Sequence, residues 1–584
     1  MGYFPGSCVS LKTAETKKDP MNVLSPEDAN GSSIPSIQSV KKNRKEQVDV
    51  FRIYESSLKQ SSERQTAKVL GIPRTTLQHW RNRKSGIALS VEMVAFFESP
   101  EGNKFLHQLV TGLLFVMVQL GGCGLRLVSL ILELCQLDRF VGSSVGSLHK
   151  LNVKIEEDLV AYGESEGKRL SKNMPAKKIS MCGDETFHPA PCLVAIEPVS
   201  NFILTEKYSE KRDAESWSAA MKEGLEGLPV VIIQSASDEG KGLVKYVEKE
   251  LGAHHSPDLF HVQQELTRAT SAPLRSKIKQ AEKMHRESTA HTERLQREHE
   301  DQTKSNKTPG CWSDLARKMA EAEAREATDL GHVDALKTYL NDAKEAKKTL
   351  GIAYHPYDLN TGAPRSADDV SIDLESKFAV IQSAAVNTEL SENSMKRLEK
   401  AHRVFKGMIE TITFFWRMVK QMIDGLGLSS EMESLMREIL IPGHYLQIAS
   451  KKARTAKEKH RIATLSTELL AHMEMIDGWC NLAQSTRDQM KSVAINCAQL
   501  FQRSSSCVEG RNGYLSLRHH SLHKLSKRKL TVLTVLHNYH IQRSDRTTAA
   551  ERFFEQKPKD LFGYLLSCTP YPARPAMKRI KLVA

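Results

Sequence analysis

The sequence predicts a multidomain protein of mixed α+β/α/β class, in which a small mixed sheet lies between two largely helical regions. A chain of 584 residues is too long for one ordinary core. The hydrophobic pattern changes from helical to extended near Lys178 and returns to helical at Val262. Hydrophobic residues make up 40% and charged residues 26% of the chain, which is the balance of a folded globular protein.

Changes in composition and periodicity divide the chain into seven predicted segments. They are a flexible basic arm (1–45), a helix-turn-helix (46–86), a helical domain with a candidate second helix-turn-helix (87–175), the first part of the sheet core (176–261), an all-α insertion (262–496), the C-terminal helices of the core (497–566) and a basic tail (567–584). The arm and the tail lack apolar periodicity, so we expect them to contribute nothing to a core.

Charge and cysteine usage point to a chain of the cytoplasm with an anionic partner. The net charge of +13 comes from 83 basic and 70 acidic residues, and nucleic acid is the first candidate partner. The ten cysteines contain no C-x-x-C pair, so we expect reduced thiols. The apolar stretch from Phe105 to Leu137 is interrupted by polar and charged residues, which favours buried helices over a membrane span. No signal peptide is visible at the N-terminus.

The stretch "QVDVFRIYESSLKQSSERQTAKVLGIPRTTLQHWRNRKSG" predicts three short helices from Gln47 onward. Ala67 is small enough for two helices to cross, and Gly71 suits a tight turn. The predicted buried face consists of Val69, Leu70, Ile72, Leu77 and Trp80. A third helix opening near Pro73 would expose the side-chain types that bind base edges and phosphates in a major groove, namely Arg74, Thr75, Thr76, Gln78, His79 and Arg81. The alternative is a three-helix unit with a solvated basic face.

A weaker copy of this pattern lies at Gly124 to Leu151. An apolar helix is followed by a loop, after which Ser143 or Ser144 could cap another helix. Plain helical core explains this stretch nearly as well.

The extended region predicts three strands, a helix, a strand, a helix and a last strand. "KISMCGDETF" (178–187), "PCLVAIEP" (191–198) and "NFILTEKY" (201–208) form a predicted meander. Asp213 is the predicted cap of "AESWSAAMKEGL". The strand "PVVIIQSAS", the amphipathic "KGLVKYVEKEL" and the extended "HHSPDLF" complete the order.

The insertion is predicted to be helical and highly charged. The run "LRSKIKQAEKMHRESTAHTERLQREHEDQTKS" is typical of a long exposed helix or an antiparallel hairpin. Phe414, Phe415, Trp416 and Trp479 could stack on an extruded base, but the periodicity around Phe414 favours a buried helical face.

Two carboxylates fall at related positions of the predicted sheet. Asp184 lies within the first strand, and Asp238 lies just past the end of the fourth. Because the strand after the first helix commonly lies beside the first strand, the two side chains would face one another. Such a pair can hold two divalent cations about 4 Å apart, and Mg²⁺ prefers carboxylate oxygens and water. Taken singly, an acidic residue before glycine is more often a turn former. Glu185 and Glu239 adjoin these residues, and neighbours on a strand point to opposite faces.

The strand order together with "GDETF", "SDEGKGL" and "SSCVEGRNGYLS" resembles the RNase H-like, or retroviral-integrase-like, core of DDE transposases. Within that class the chain looks like bacterial insertion-sequence transposases related to the Mutator-like and hAT groups, which also carry a large helical insertion. The resemblance implies that Asp184, Asp238 and Glu509 are catalytic and hold two Mg²⁺ or Mn²⁺ ions. The rivals of Glu509 are Glu389 and Glu392 in the insertion.

The same resemblance implies roles for the residues around these carboxylates. Asp258 and His261, in "DLFH", match a [C/D]-x-x-H element after the fifth strand, and they are expected to support the site or to close the sheet. Asn512 is expected on the same helical face as Glu509, and Arg511 and Arg518 are expected to contact DNA.

The implied function is cleavage at transposon ends and transfer of the freed 3′-hydroxyl into target DNA. The implied partner is double-stranded DNA, with a homo-oligomer that acts in the bacterial cytoplasm at the nucleoid and away from membranes. Two alternatives stay open: a nuclease that only hydrolyses, and a transposase-derived DNA-binding protein without catalysis.

Overall fold

The structure is a computed structural model that describes residues 53–54, 56–58, 61–82, 91–187, 190–304, 312–522 and 525–575. The predicted basic arm and the last nine residues of the predicted tail lie outside these ranges. The chain divides into two compact units, one of residues 1–99 with 575–584 and one of residues 100–574.

The first unit contains the predicted helix-turn-helix. Its helices are α1 (Glu63–Leu70), α2 (Arg74–Asn82) and α3 (Val91–Glu98), and residues 53–54 and 56–57 have further helical backbone. Ser62 caps α1 in a reciprocal pair of hydrogen bonds with Gln65, and Gly71 ends it with a φ of +61°. The α2 start after Pro73 is as predicted.

The core of this unit consists of Tyr54, Ala67, Ile72 and Leu77. Ala67, Ile72 and Leu77 are therefore buried as predicted, and Leu70 packs against them. The prediction for Val69 was wrong, because this side chain is 85% exposed. In a helix where residues 67 and 70 face the core, residue 69 lies on the opposite side. The side chain of Trp80 lies outside the described part of the chain.

The second unit begins with α4 (Pro100–Leu113), α5 (Leu125–Leu134) and α6 (Val145–Ser171). Ser144, one of the two predicted caps, accepts a hydrogen bond of 3.2 Å from the backbone of Ser147 and starts α6. The 27 residues of α6 bury one face, including Ile155 and Leu159, within the unit. This placement favours helical core over a second helix-turn-helix at 124–151.

The sheet has five strands: β1 (Lys177–Phe187), β2 (Pro191–Glu197), β3 (Phe202–Tyr208), β4 (Val230–Ser237) and β5 (His254–Pro257). The spatial order is β3-β2-β1-β4-β5; the first three strands are antiparallel neighbours, and β1, β4 and β5 run parallel. The meander and the position of β4 beside β1 are as predicted. The last strand is shorter than predicted, because Asp258 already caps the next helix.

Helices cover both faces of the sheet. On one face lie α7 (Ala214–Gly224), capped by Asp213 as predicted, and α8 (Lys241–Lys245). A Cβ atom at Gly183 would come within 2.9 Å of Leu243, so α8 packs directly on β1. The C-terminal part of the chain forms α20 (Ser506–Leu522), α21 (Lys527–Tyr539), α22 (Ala549–Phe554) and α23 (Leu561–Cys568), and α20 lies against β1 and β2.

The described residues of the insertion form helices, joined by short loops and by a longer turn segment at 354–366 with one isolated β-bridge, Tyr357 to Pro364. Its helices are α9 (Leu259–Leu266), α10 (Ala272–Lys304), α11 (Trp312–Ala353), α12 (Ala367–Asn387), α13 (Glu392–Arg403), α14 (Phe405–Asp424), α15 (Ser430–Leu435), α16 (Ile441–Lys452), α17 (Ala456–Met473), α18 (Asp477–Cys480) and α19 (Gln484–Leu500). They share one hydrophobic core that runs from Leu259 to Phe501.

The long charged run forms an antiparallel hairpin of α10 and α11, one of the two predicted alternatives. Lys337 pairs with Glu282 at 3.0 Å, and Thr289 donates to Glu326 at 2.8 Å. The residue number rises along α10 from the first pair to the second and falls along α11, so the two helices are antiparallel.

The aromatic residues of the insertion belong to its core, as the periodicity predicts. Phe414, Phe415 and Trp479 are 6%, 1% and 0% exposed. Trp416 is half-buried, and its indole N–H donates to the carbonyl of Arg365 at 2.8 Å. Across the described ranges, no helix combines the length and the apolar character needed to cross a membrane.

Candidate active site

Asp184 lies where β1 leaves its pairing with β4 but still pairs with β2. Gly183 is the last residue of β1 opposite β4, and Asp184 lies opposite Val194 of β2. One carboxylate oxygen accepts a hydrogen bond of 2.7 Å from the backbone of Glu185, and the other accepts one of 2.8 Å from the amide of Asn512 on α20. The side chain is therefore fixed on the face of the sheet that α20 covers.

Glu185 lies on the opposite face, as strand alternation requires. Its carboxylate accepts from the indole of Trp217 at 3.1 Å and from Arg212 at 3.3 Å. These contacts hold Glu185 against α7 and leave Asp184 as the acidic residue of this pair that faces α20.

Asp238 follows directly on Ser237, which lies opposite Gly183. The ends of β1 and β4 therefore bring Asp184 and Asp238 together, and the charge of Asp238 is one cause of the raised pKa of Asp184. Asp238 also accepts a hydrogen bond of 3.1 Å from the backbone of Gly240. It is thus both a turn former and a neighbour of Asp184.

Glu509 lies in the first turn of α20, which carries it to the same edge of the sheet. Burial and the charges of Asp258 and Asp184 raise its pKa, while the nearby His261 opposes that shift. The rivals Glu389 and Glu392 are exposed at the junction of α12 and α13.

Partial burial and neighbouring carboxylates raise the pKa values of Asp184 and Glu509. Burial first, and then the charge of Asp238, raise the pKa of Asp184 to about 6. Glu509 shifts in the same direction, with Asp184 among the causes. A cation between these groups would relieve the repulsion that raises both pKa values.

Asp258 joins the two ends of the helical insertion. It is 2% exposed and caps α9 by accepting from the backbone of Phe260 at 2.7 Å. Its other oxygen accepts from the backbone of Ser505 at 3.1 Å and from the Ser505 hydroxyl. The backbone of Leu259 also donates to the carbonyl of Arg503 at 3.0 Å. Sequence reasoning missed Ser505, and its only local signal is its place just before a helix.

Among the described residues, the group whose geometry could hold a metal ion is not the predicted set of three carboxylates. Asp258, His261 and Glu509 form a group, found among the described residues, whose ligand atoms all lie within 4.8 Å of one another. The Asp258 carboxylate, however, already accepts three hydrogen bonds, which makes it a poor ligand. Asp184, Asp238 and Glu509 carry the hard oxygen donors that Mg²⁺ and Mn²⁺ prefer, but their oxygens do not all lie within 4.8 Å of one another. The buried side-chain oxygen of Asn512 has no hydrogen-bond partner among the described residues, and it adds a further oxygen beside Asp184 that could bind a cation.

A basic, open cavity of about 790 Å³ lies next to Asp238. Its wall includes Glu185 and Gly240 together with four exposed cations, Lys211, Arg212, Lys241 and Lys245. Arg212 pairs with Glu185, and the three lysines are placed to bind an anion such as a DNA phosphate.

The predicted DNA-binding residues of α2 have different environments. Arg74 and Thr75 are exposed, and Thr76 is half-buried. The amide of Gln78 donates to Glu63 at 2.8 Å, so it is engaged within the unit. The side chains of His79 and Arg81 lie outside the described part of the chain.

The predictions for Arg511 and Arg518 were wrong, because both side chains are buried, at 4% and 7% exposure. Arg511 forms a two-pronged ion pair with Glu206 on β3, at 2.7 and 2.6 Å. Arg518 donates to the hydroxyl of Tyr514 at 2.9 Å and to the backbone carbonyl of Leu120. Their charges are used in contacts inside the protein.

A family model described as "Family of unknown function (DUF6399)" matches residues 436–581. The matched part includes the end of the insertion, Ser505, Glu509 and Asn512. No curated protein and no solved structure matches the chain.

Proposed function

We propose that the chain is a DDE-type DNA transposase with an RNase H-like core, which cleaves transposon ends and joins them to target DNA. The observation that carries the proposal is that three carboxylates from distant parts of the sequence lie near one edge of the sheet, close enough for their charges to raise the pKa values of Asp184 and Glu509. Asp184 comes from the first strand, Asp238 from the end of the strand beside it, and Glu509 from a helix that follows the insertion.

The carboxylates supply the negative charge that two Mg²⁺ or Mn²⁺ ions require. When bound, such ions activate an attacking oxygen and stabilise the leaving 3′ oxygen of a phosphodiester. Asn512 orients Asp184 through its 2.8 Å hydrogen bond. Asp258 acts as a positioning residue, since it fixes the segment that precedes α20 and thereby sets the place of Glu509.

The basic surroundings support DNA as the substrate. The three lysines of the cavity that Glu185 lines can bind backbone phosphates next to the end of β4, although this cavity lies on the face of the sheet opposite Asp184. In the first unit, Arg74 and Thr75 are exposed at the start of α2, where a recognition helix contacts bases. Because two DNA ends must be held at once, we propose a homo-oligomer acting at the bacterial nucleoid.

The test is DNA cleavage and joining by the purified full chain. The substrate is duplex DNA from the two flanks of the reading frame, with Mg²⁺ or Mn²⁺ and a second plasmid as target. We expect nicks that expose 3′-hydroxyl ends and joined products with the target plasmid. Cleavage without joined products would favour the nuclease alternative.

Matched variants separate the proposed ligands from their neighbours. Asp238→Asn and Glu509→Gln should reduce cleavage to background, because each removes a proposed ligand charge and keeps the side-chain size. Glu239→Gln, at the exposed position beside Asp238, should cleave like the unmodified protein. Full activity of Asp238→Asn would overturn the proposal, and DNA binding unaffected by every carboxylate change, without any cleavage, would favour the non-catalytic alternative.

A further inference from the structure

A second cavity, of about 550 Å³, lies between the insertion and the segment that returns from it to the sheet. Its volume is in the range of pockets that bind small molecules, about 300–1,000 Å³. One part of the wall is apolar and aromatic, formed by Leu359, Tyr445, Ile448 and Phe501. Tyr445 and Phe501 are 4% and 6% exposed and belong to the insertion core, so this part of the wall is rigid.

The rest of the wall carries a high density of positive charge. Six of its cations have no carboxylate within 4.0 Å in the described part of the chain: Lys451, Lys452, Arg454, Arg461, Arg503 and Arg543. Glu458 is the acidic residue of the described wall, and its carboxylate accepts from the hydroxyl of Thr455 at 3.1 Å. The charges of this cavity therefore favour an anion strongly.

Arg503 is the most recessed of these cations. One guanidinium nitrogen, Nη1, donates to the carbonyls of Gly351 and Tyr354, at 2.5 and 3.1 Å. Within the described residues, Nε and Nη2 have no hydrogen-bond partner. Removal from water and the charge of Arg454 lower the pKa of Arg503. Withdrawal from water and the charge of Arg503 lower the pKa of Lys452, whose side chain still reaches solvent.

The start of α17 adds to the positive field. Thr455 caps this 18-residue helix at the cavity wall and accepts from the backbone of Glu458 at 3.2 Å. The N-terminus of a helix carries a partial positive charge. Together with the six cations, it forms a site for several negative charges on one ligand.

We propose that this cavity binds a nucleoside triphosphate, with its phosphates at Lys452, Arg454 and Arg503 and its base against Tyr445, Ile448 and Phe501. A nucleotide supplies both the clustered charge and the flat apolar ring that the two parts of the wall can accommodate. A DNA duplex would contact the exposed Lys451 and Arg454, but its backbone is too wide to follow the recess to Arg503. The inference is independent of the proposed transposase function.

Calorimetric titration of the full chain with ATP, in EDTA and at physiological salt, tests this proposal. The chelator removes divalent cations, so ATP cannot bind through metal ions at the carboxylates. We expect ATP to bind at micromolar concentration, with tripolyphosphate about 10-fold weaker because it lacks the base, and adenosine weaker still. Lys452→Glu and Arg454→Glu should each weaken ATP binding by about 10- to 100-fold.

Lys459→Glu is the matched control, because it makes the same charge change on the exposed surface of α17 outside the cavity wall. Its ATP affinity should stay within about 2-fold of the unmodified protein, since exposed charges at a distance are screened. Circular dichroism checks that each variant is folded, and Arg454→Gln replaces Lys452→Glu if the latter is not.

Three results would overturn the proposal. The first is no heat of binding when ATP is present at about 1 mM, a concentration at which even a Kd of about 1 mM would give measurable binding. The second is an equal loss of affinity in Lys459→Glu. The third is displacement of ATP by a DNA duplex whose own binding is weakened by Lys452→Glu to the same extent, which would make the cavity part of a DNA-binding surface.

Discussion

Replacing Arg511 by alanine should destabilise the second unit strongly, whatever its effect on DNA. Arg511 and Glu206 are 3% and 0% exposed in their side chains, and two hydrogen bonds of 2.7 and 2.6 Å join them. Without Arg511, the Glu206 carboxylate would keep, among the described residues, one hydrogen bond, from the hydroxyl of Thr534 at 2.7 Å. Removing one partner of a buried ion pair leaves an uncompensated charge and costs about 3–5 kcal/mol.

Urea unfolding followed by far-ultraviolet circular dichroism measures this loss. The double variant Arg511→Met with Glu206→Gln removes both charges and should recover a large part of the stability. Arg317→Ala is the control, since its pairs with Asp314 and Glu321 are exposed on the hairpin and should contribute nothing measurable. If Arg511→Ala unfolds like the unmodified protein but loses DNA binding, the structural role derived from burial is refuted.

Three further predictions concern pH, packing and an aromatic side chain. Burial lowers the pKa of His537 to about 4. An unfolded histidine has a pKa near 6.5, so the free energy of unfolding should fall as the pH drops through 6.5 and stop falling below about 4. In urea unfolding, His537→Gln should reduce the stability lost between pH 7 and 5 by about 2 kcal/mol. Gly242→Ala should lower the melting temperature, because its Cβ would lie 2.0 Å from a backbone oxygen, whereas Gly331→Ala, with nothing within 4 Å, should stabilise the hairpin by up to about 1 kcal/mol. Trp479→Phe keeps a buried ring but loses the 3.0 Å hydrogen bond to Glu474, so the free energy of unfolding should fall by about 1 kcal/mol. DNA binding in a mobility-shift assay should not change. Lost DNA binding at full stability would instead indicate that Trp479 stacks on a base.

The parts of the fold that follow local patterns could be predicted from the sequence. Strand alternation and turn residues gave the meander, and the cap at Asp213 gave the start of α7. The neighbourhood of Asp184 and Asp238 followed from strand order alone. Local patterns failed where the deciding contact is distant. Arg511 was expected to contact DNA, but its ion-pair partner Glu206 is 305 residues away in the sequence. Because α1 has only eight residues, its hydrophobic pattern could not show that Ala67 faces the core and Val69 faces solvent.

The insertion explains how a site can depend on residues so far apart. Each doubling of the length of a loop adds only about 0.6 kcal/mol to the entropic cost of closing it. A large insertion between β5 and α20 therefore costs little stability if it folds around its own core. The insertion does so, from Leu259 to Phe501. The two ends of the insertion must also be held together. The backbone and the hydroxyl of Ser505 both donate to the buried carboxylate of Asp258 and so join these ends. The position of Glu509 relative to Asp184 is therefore set by Asp258, whose carboxylate holds the segment before α20 and has little capacity left to bind a ligand.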